Sequence, residues 1–520
     1  MKRYSVFVFA LIFLISLIGF SPITAQGNGS IAVYANPTTL PDIDPSSSFS
    51  NDNIVMGNVY ETLTFYNAPG NDTQISPKLA TSWTTSSDGL TWTFKLREGV
   101  KFHDGTPFNA AAVKFSIERT MKLGLGASYI FDPIEAVNVV DDSTVEFKLK
   151  YTAPLDLILA TGYAAWIMSP TAVGNNGGDW FNAGHDAGTG PYMIESYDVG
   201  QRLVVTQFTD YWGGWTDGQF EKVVFQIAED PTVRQQLITS GDADFTYDIA
   251  SDNIPSLQQT PGVKVVSNPS FQNLLALLNH DKEPTNKLEV RQALAYSFPY
   301  EKVIQNLYGG LGTQAQGPVP AGMWGHSDTV TQYHEDLAKA KDLLTQAGYP
   351  DGGFTLKYTY VAGDLNEQQI GELWKADLAT LGVTLDLEGL AWEAQWALGK
   401  TDPATAQDIF AFYWWPDYVT PYSFLYAMFH SENPPNYNLG YYNDAKFDDL
   451  ITQGNEVSAS DLTKATDLFG QAQQMLADDS TAIFIVDLPD VHVIRDDISG
   501  FVDNPAYPHI VFWYDLKRSA

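Results

Sequence analysis

The chain has 520 residues, which is long enough for more than one compact unit, and 44% hydrophobic with 13% aromatic residues argues against disorder. Its 62 acidic and 29 basic residues give a net charge of -33, which makes nucleic acid and anionic membrane surfaces unfavourable partners. The sequence has no cysteine, and this excludes disulfides, thiol catalysis, cysteine metal sites and a lipid-modified cysteine anchor.

The first 25 residues have the pattern of an export signal. Lys2 and Arg3 precede an apolar run from Val6 to Phe20, Ser21-Pro22 breaks that run, and Ala25 is a suitable last residue before cleavage. A retained membrane anchor is the alternative, because the apolar run is slightly long. We expect cleavage and an extracytoplasmic, monomeric protein in the periplasm or at the cell surface.

Residues 88–119 predict a strand, a tight turn and a helix. Trp92, Phe94 and Leu96 alternate with polar residues, which is typical of a half-buried strand. Asp104-Gly105 signals a turn, and Asn109 is a candidate N-cap for the helix that follows. We interpret this segment as scaffold that does not contact a ligand.

Short strand-like runs alternate with helical runs along the rest of the chain, which indicates an α/β fold with mixed sheets. Strands are predicted over 31–35, 202–208, 223–228, 263–267 and 355–361, and helices over 232–239, 288–307, 337–347 and 370–381.

Sequence signatures of common catalytic sites are missing. There is no G-x-S-x-G elbow and no Walker A sequence, and Gly310–Ala315 fits a dinucleotide pattern only formally, because it follows a predicted helix. The eight histidines include no H-x-x-x-H pair, so a zinc or nickel site built from scattered histidines remains only an alternative. We expect a binding protein without a cofactor; a secreted glycosidase or peptidase is the competing hypothesis.

The aromatic run from Phe410 to Tyr418 is the strongest candidate for a ligand site. Tryptophan and tyrosine rings suit stacking on sugars or on peptide side chains. Asp417, which follows a proline, is an acceptor for an ammonium group or for a pair of sugar hydroxyls. The alternative interpretation is an aromatic core cluster in which Asp417 caps a loop.

Several short motifs, in this order, resemble the extracytoplasmic solute-binding proteins of family 5, which serve ABC importers for oligopeptides and related solutes. They are the segment 88–119, GTGPY at Gly188–Tyr192, DYWGG at Asp210–Gly214, SGDAD at Ser240–Asp244, VRQAL at Val290–Leu294, and the pattern from Asp336 to Tyr349 that ends in AGY.

The resemblance implies an α/β, two-lobed periplasmic-binding-protein clamshell with an additional inserted domain. Lobe I would comprise residues 26–54, 186–268 and 488–520, the inserted domain residues 55–185, and lobe II residues 269–487. A solute would be captured between the closing lobes and delivered to a membrane permease.

The resemblance also implies a role for one acid. In peptide-binding members an aspartate in a W-x-x-D-Y motif holds the peptide's α-amino group, and Trp414–Tyr418 matches that motif at Asp417. The further candidates are neighbouring aromatics, other tryptophans of lobe II, and positions where family members approach ligand: Tyr413, Trp414, Trp415, Tyr418, Trp324, Trp392, Trp396, Tyr34, Asn36 and Asn279.

The second lobe is poor in cations. No arginine occurs between Arg291 and Arg495, although the same interval has six tryptophans. Arginine is the natural partner of a peptide's terminal carboxylate. We therefore expect a neutral or cationic oligomeric solute, with oligosaccharide ahead of oligopeptide, and a nickel or haem binder of the same fold as the alternative.

Overall fold

The computed structural model describes residues 31–49, 53–71 and 73–519, and the predicted export signal lies outside them. None of the helices in these ranges combines the length and apolar character that crossing a bilayer requires. Strands and helices alternate along the described chain, as the sequence predicts.

The strands are β1 Ile31–Asn36, β2 Thr64–Tyr66, β3 Ile75–Pro77, β4 Ala80–Thr85, β5 Thr91–Leu96, β6 Ile134–Asp141, β7 Thr144–Leu149, β8 Tyr192–Asp198, β9 Arg202–Gln207, β10 Lys222–Ile227, β11 Phe245–Tyr247, β12 Val263–Leu278, β13 Thr355–Val361, β14 Thr384–Leu390, β15 Ile409–Trp414, β16 Ala482–Arg495, β17 Ile498–Ser499 and β18 Lys517–Arg518.

The α-helices are α1 Asn53–Val59, α2 Ala110–Leu123, α3 Leu155–Ile158, α4 Pro170–Val173, α5 Gly178–Asn182, α6 Pro231–Ser240, α7 Ile254–Leu257, α8 Leu288–Tyr296, α9 Tyr300–Leu307, α10 Leu337–Gln346, α11 Leu365–Thr380, α12 Trp392–Gly399, α13 Pro421–Phe429, α14 Ala445–Ser458 and α15 Leu462–Asp478. Short 3-10 helices cover Ser128–Phe131, Ser251–Asn253 and Trp513–Asp515.

Most strands join one ten-stranded sheet in the order β14-β13-β15-β12-β16-β11-β1-β10-β9-β8. A separate four-stranded sheet, β4-β5-β7-β6, packs with α2 around its own core. Along β12 the side chains alternate between two cores, Leu275 and Leu277 on one face and Leu274 and Leu278 on the other. Both faces of this part of the large sheet are therefore covered by helices.

Strands β12 and β16 are the long antiparallel pair at the centre of the large sheet. Their pairing runs from Val263 opposite Arg495 to Leu277 opposite Ala482, and its register shifts between Pro269 and Asn273. We call residues 269–272 together with 488–489 the ladder break. On one side of the break the pair adjoins β11, and on the other side it adjoins β15.

The predicted elements are largely confirmed. The strand in segment 88–119 is β5, and Asn109 caps α2 by accepting a hydrogen bond from the backbone N–H of Ala112 at 3.1 Å. The single helix predicted over 288–307 is wrong, because the chain forms α8 and α9 with Pro299 between them, and proline has no N–H to continue a helix. The strand predicted over 263–267 extends to Leu278.

The segment 88–119 docks on the GTGPY turn. The backbone N–H of His103 donates to the carbonyl of Gly188 at 2.9 Å, and its ring contacts the carboxylate of Asp186 and the carbonyl of Gly190. At the far end of the segment, both terminal nitrogens of Arg119 donate to the carboxylate of Asp44. The segment thus connects the four-stranded sheet to the part of the chain that carries β1 and β8.

Glycine is required in this turn because α1 ends against it. A Cβ atom at Gly188 would lie 1.9 Å from the carbonyl oxygen of Val59, and one at Gly190 would lie 2.6 Å from that of Asn58. Both obstacles are backbone atoms, so no side-chain rotation relieves the clash.

Replacing Gly188 by alanine should therefore lower the free energy of unfolding by ~1–3 kcal/mol or more, as overpacking does. Urea or thermal unfolding measures the effect. Gly177→Ala is the matched control, because a Cβ atom there would have no neighbour within 4 Å and the backbone φ is −108°. Equal stability of the two variants would contradict the proposed clash.

Candidate functional site

Two adjoining cavities lie at the ladder break. Their volumes are about 20 and 110 Å³, and they share Gln272, Trp415, Pro508 and His509 in their walls. The smaller cavity is also lined by Ser270, Phe271, Pro489, Asp490 and Pro505, and the larger by Asn53, Gly162, Tyr163, Ala506, Tyr507 and Ile510.

The walls come from distant parts of the chain. Gln272 belongs to β12, Trp415 follows β15, Tyr163 lies in the region predicted as the inserted domain, and Pro508 and His509 belong to a loop after β17. The linings combine aromatic rings and prolines with the amides of Gln272 and Asn53, and they contain no lysine or arginine. Such a lining suits a small ligand with apolar groups and few charges.

A larger cavity of about 330 Å³ lies elsewhere, around Glu61, and residues from 269–487 do not line it. The carboxylate of Glu61 is already engaged there: Tyr211 and Trp212 donate to it at 2.9 Å, and Lys78 lies 3.3 Å away. Because the carboxylate of Glu61 is satisfied and no residue of 269–487 contributes to the lining, we do not assign the solute to this cavity.

Asp417 is buried and lines neither of the two adjoining cavities. It is 5% exposed, and its backbone N–H donates to the hydroxyl of Ser423 at 3.0 Å. The hydroxyl of Thr161 donates to its backbone carbonyl, and the hydroxyl of Tyr129 hydrogen bonds to its carboxylate. Thr161 and Tyr129 belong to the predicted inserted domain, so Asp417 marks a contact between two regions of the fold.

The carboxylate of Asp417 has no basic partner among the described residues. Burial raises the pKa of this carboxyl to about 7, although hydrogen bonds from Tyr129 and Ser423 act in the opposite direction. Tyr163 lines the cavity of about 110 Å³ and hydrogen bonds to Trp415. The negative charge of Asp417 acts on the hydroxyl of Tyr163. Asp417 is therefore a buried acid without a basic partner among the described residues, and its charge acts on one residue of the cavity wall.

The aromatic run does not form one continuous surface. Tyr413 and Trp414 point to opposite faces of β15: Tyr413 packs on the core that contains Trp374, and Trp414 on the core that contains Phe412. This follows from the two-residue period of a strand. Tyr418 packs between that second core and the core of the four-stranded sheet.

The other predicted tryptophans flank the same core. The indole of Trp324 donates to the carbonyl of Val419 at 2.8 Å, and that of Trp396 donates to the carbonyl of Asn436 at 2.9 Å. Trp392 meets the ring of Phe410 edge-on at 6.1 Å. Their part in ligand binding stays a prediction.

Three predicted residues are buried in supporting positions. The hydroxyl of Tyr34 donates to the carbonyl of His509 at 3.1 Å, which places it behind the loop that lines the cavities. The amide of Asn36 donates to Thr38 at 2.6 Å, and that of Asn279 donates to Pro403 and Gln407 at 2.9 and 3.1 Å. These contacts hold backbone; direct ligand contact by these side chains stays a prediction.

Sequence reasoning missed Gln272, Tyr163, Pro508 and His509. Gln272 lies inside a strand whose length was underestimated, and Tyr163 lies in a stretch without a motif. The density of proline and aromatic residues between Pro505 and Tyr514 could have pointed to Pro508 and His509, but no signal pointed to Gln272 or Tyr163.

A cavity at the junction of two halves of a large sheet is typical of a solute-binding protein of the two-lobed kind. Residues 74–436 match the family model described as "Bacterial extracellular solute-binding proteins, family 5 Middle". The chain belongs to this family, which confirms the predicted fold and the predicted function class, a solute-binding receptor of an ABC importer.

The relatives are binding proteins rather than enzymes. The chain is 32% identical to the probable D,D-dipeptide-binding periplasmic protein DdpA of Escherichia coli over 488 residues, 91% of each chain. It is 28% identical to heme-binding protein A of Haemophilus influenzae over 460 residues, 83% of this chain and 82% of that one. The periplasmic binding protein DppA of Helicobacter pylori, solved with the peptide STSA, superposes with a TM-score of 0.80 at 24% identity and covers 94% of this chain and 98% of its own.

Asp417→Asn should stabilise the ligand-free protein at pH 8. The pKa of Asp417 is raised in the folded state, so its ionisation opposes folding increasingly as the pH rises from about 4 to about 7. Asparagine cannot ionise, and the gain reaches at most roughly 4 kcal/mol at pH 8 and vanishes near pH 4. Urea unfolding at both pH values measures it.

The exposed Asp217→Asn variant is the control and should show no such pH-dependent difference. A loss of stability at pH 8 in Asp417→Asn would mean that the folded protein favours the charged carboxylate.

Proposed function

We propose that this protein captures short peptides with a free amino terminus, of about dipeptide size, and delivers them unchanged to the permease of an ABC importer. The protein would act as an exported monomer, without catalysis. The observation that carries the proposal is the buried carboxylate of Asp417, which has no basic partner among the described residues and whose charge acts on the cavity residue Tyr163.

An ammonium group is the ligand feature that would relieve this carboxylate. A buried charge is costly unless it is paired and hydrogen bonded. In the ligand-free protein burial favours the protonated form of Asp417, which removes the charge. A peptide's amino terminus would supply the missing counter-charge and up to three N–H donors, so binding would favour the ionised form.

Access to Asp417 requires the lobes to separate. Its backbone carbonyl and its carboxylate are covered by Thr161 and Tyr129, which lie across the cleft from lobe II. Parting the two regions would break these contacts and expose the acid to an incoming peptide. Closure would then bury the new ion pair, so ligand affinity and lobe closure would be coupled.

Cavity size supports a short ligand and counts against the oligosaccharide that the sequence favours. The cavity lined by Tyr163 and Trp415 has about 110 Å³, which at ~10–15 Å³ per water-sized group corresponds to roughly 7 to 11 such groups. A dipeptide of small residues has about that many non-hydrogen atoms, whereas a disaccharide has about twice as many and haem has more still. The name of the dipeptide-binding relative from Escherichia coli supports the same class.

The other end of the peptide would meet polar groups instead of an arginine. The cavity linings offer the amides of Gln272 and Asn53 and the ring of His509. Amide donors bind a carboxylate more weakly than the bidentate fork of arginine. We therefore expect the amino terminus to contribute more to affinity than the carboxyl terminus.

The ligand class is tested by calorimetry with L-alanyl-L-alanine and D-alanyl-D-alanine, their N-acetylated forms, and cellobiose. A free-amino dipeptide should bind and raise the melting temperature, since a ligand bound only by the folded state stabilises it. N-acetylation should abolish binding, and amidation of the carboxyl terminus should cost less. Binding of cellobiose but of no dipeptide would overturn the peptide assignment.

Asp417→Asn should weaken dipeptide binding by roughly 10- to 100-fold, the effect of losing a hydrogen bond to a charged group. Wild-type affinity should fall as the pH drops below about 7, because Asp417 then takes up a proton that the ammonium must displace. The variant should lack this pH dependence, and Asp217→Asn should keep it. Unchanged affinity in Asp417→Asn would return this residue to a purely structural role.

A further inference from the structure

A cluster of buried metal-ligating side chains lies next to the ladder break. Asp490 and His492 belong to β16, and Asp503 and His509 belong to the loop after β17. Asp490 and His492 are 4% and 1% exposed, and the side chain of Asp503 is 7% exposed. Tyr247, which stacks on His509 at 4.2 Å, and Phe501 enclose the cluster from the side of lobe I.

The ligand atoms have the spacing of a tetrahedral metal site. Nε2 of His492 lies 3.2 Å from Oδ1 of Asp490 and 3.6 Å from Oδ1 of Asp503, and one atom from each of these residues falls within 4.8 Å of the others. Bonds of ~2.0–2.2 Å to a tetrahedral zinc ion place neighbouring ligand atoms roughly 3.3–3.6 Å apart. An ion can therefore reach all three side chains with small adjustments.

His492 forms ion pairs with both carboxylates, but several polar atoms of this cluster lack a hydrogen bond within the described chain. Both ring nitrogens of His492 are buried and have no hydrogen-bond partner there, and the same holds for Oδ2 of Asp490 and of Asp503. Buried polar atoms are nearly always satisfied, so a group of them in one place calls for a specific explanation. The Nε2 atom of His492 is directed between two carboxylates, as a metal ligand would be.

We propose that Asp490, His492 and Asp503 bind one divalent transition-metal ion of the zinc class. One imidazole and two carboxylates suit such an ion, whereas calcium and magnesium prefer all-oxygen sites of higher coordination number. His509, whose Nδ1 lies 3.4 Å from Oδ1 of Asp490, orients that carboxylate or completes the coordination.

The position of the ion gives it a role in shaping the cleft. It joins β16, immediately after the ladder break, to the loop that carries Pro508 and His509. Asp490 and His509 also line the smaller cavity, so the ion lies at the cavity wall. Metal binding would hold this loop against β16 and thereby fix one wall of the solute site. Metal binding by Asp490, His492 and Asp503 does not itself depend on the peptide assignment.

The test uses tag-free protein of the full chain, freed of metal with a chelator. Titration with Zn²⁺ in the presence of millimolar Mg²⁺ and Ca²⁺, which occupy surface carboxylates, should give a stoichiometry near one and a melting temperature raised by several degrees. Co²⁺ should give the intense visible absorption of tetrahedral coordination by nitrogen and oxygen. Zinc retention below about one ion per ten chains after gel filtration would overturn the proposal.

Variants distinguish the site from adventitious binding to a chain of charge -33. His492→Gln and Asp503→Asn should each lose the stoichiometric zinc and the Co²⁺ absorption, while the exposed His334→Gln should keep both. Asp503 lies on a loop, so its variant remains informative where His492→Gln fails to fold. Retention of zinc in Asp503→Asn at wild-type affinity would overturn the assignment and leave the cluster as a buried ion network.

Discussion

The antiparallel pair β12–β16 is the interaction on which the rest of the structure depends. It is the central pairing of the ten-stranded sheet and the connection between the half that contains β1 and the half that contains β15. Pro269 lies opposite Pro489 in its register, and neither residue has an N–H to donate. Ser270 fills part of the gap by donating to the carbonyl of Leu488 at 2.7 Å, and pairing resumes at Asn273, with a second register shift between Leu274 and Leu275. The ladder is therefore interrupted where the two halves of the sheet meet.

The position of the proposed solute site follows from this break. Gln272 and Pro489, from the two strands at the break, line the cavities. Trp415 and Tyr163 line them from two other parts of the chain. The site is complete only when the two sides are in contact, as they are here. The buried carboxylate of Asp417 has the same dependence, because the groups that cover it come from across the cleft. Without a ligand, burying this carboxylate would disfavour the closed form. With a ligand ammonium as its partner, burial would become favourable, and the equilibrium would shift toward the closed form.

The motifs in segment 88–119 and in the GTGPY turn have a structural cause. His103 and Asp186 form a buried contact, and Gly188 and Gly190 let the backbone of α1 pass at van der Waals distance. These residues hold the four-stranded sheet to the large sheet and contribute nothing to the cavities that we assign to the solute. The residues that identify the family and the residues that line the proposed solute site therefore lie in different parts of the chain.

The sequence by itself determined the α/β class, most element positions, the cap at Asn109 and the family, because periodicity, turn residues and short motifs are local properties. It also singled out Asp417, through one motif. It did not reveal that Tyr413 and Trp414 diverge, since that depends on which faces of β15 are covered. Only the tertiary structure brought Gln272, Tyr163, Trp415 and His509 to one cavity, and Asp490, His492 and Asp503 to one cluster. The cavity residues come from widely separated parts of the chain, and their proximity is a product of strand order and register, which no local pattern encodes.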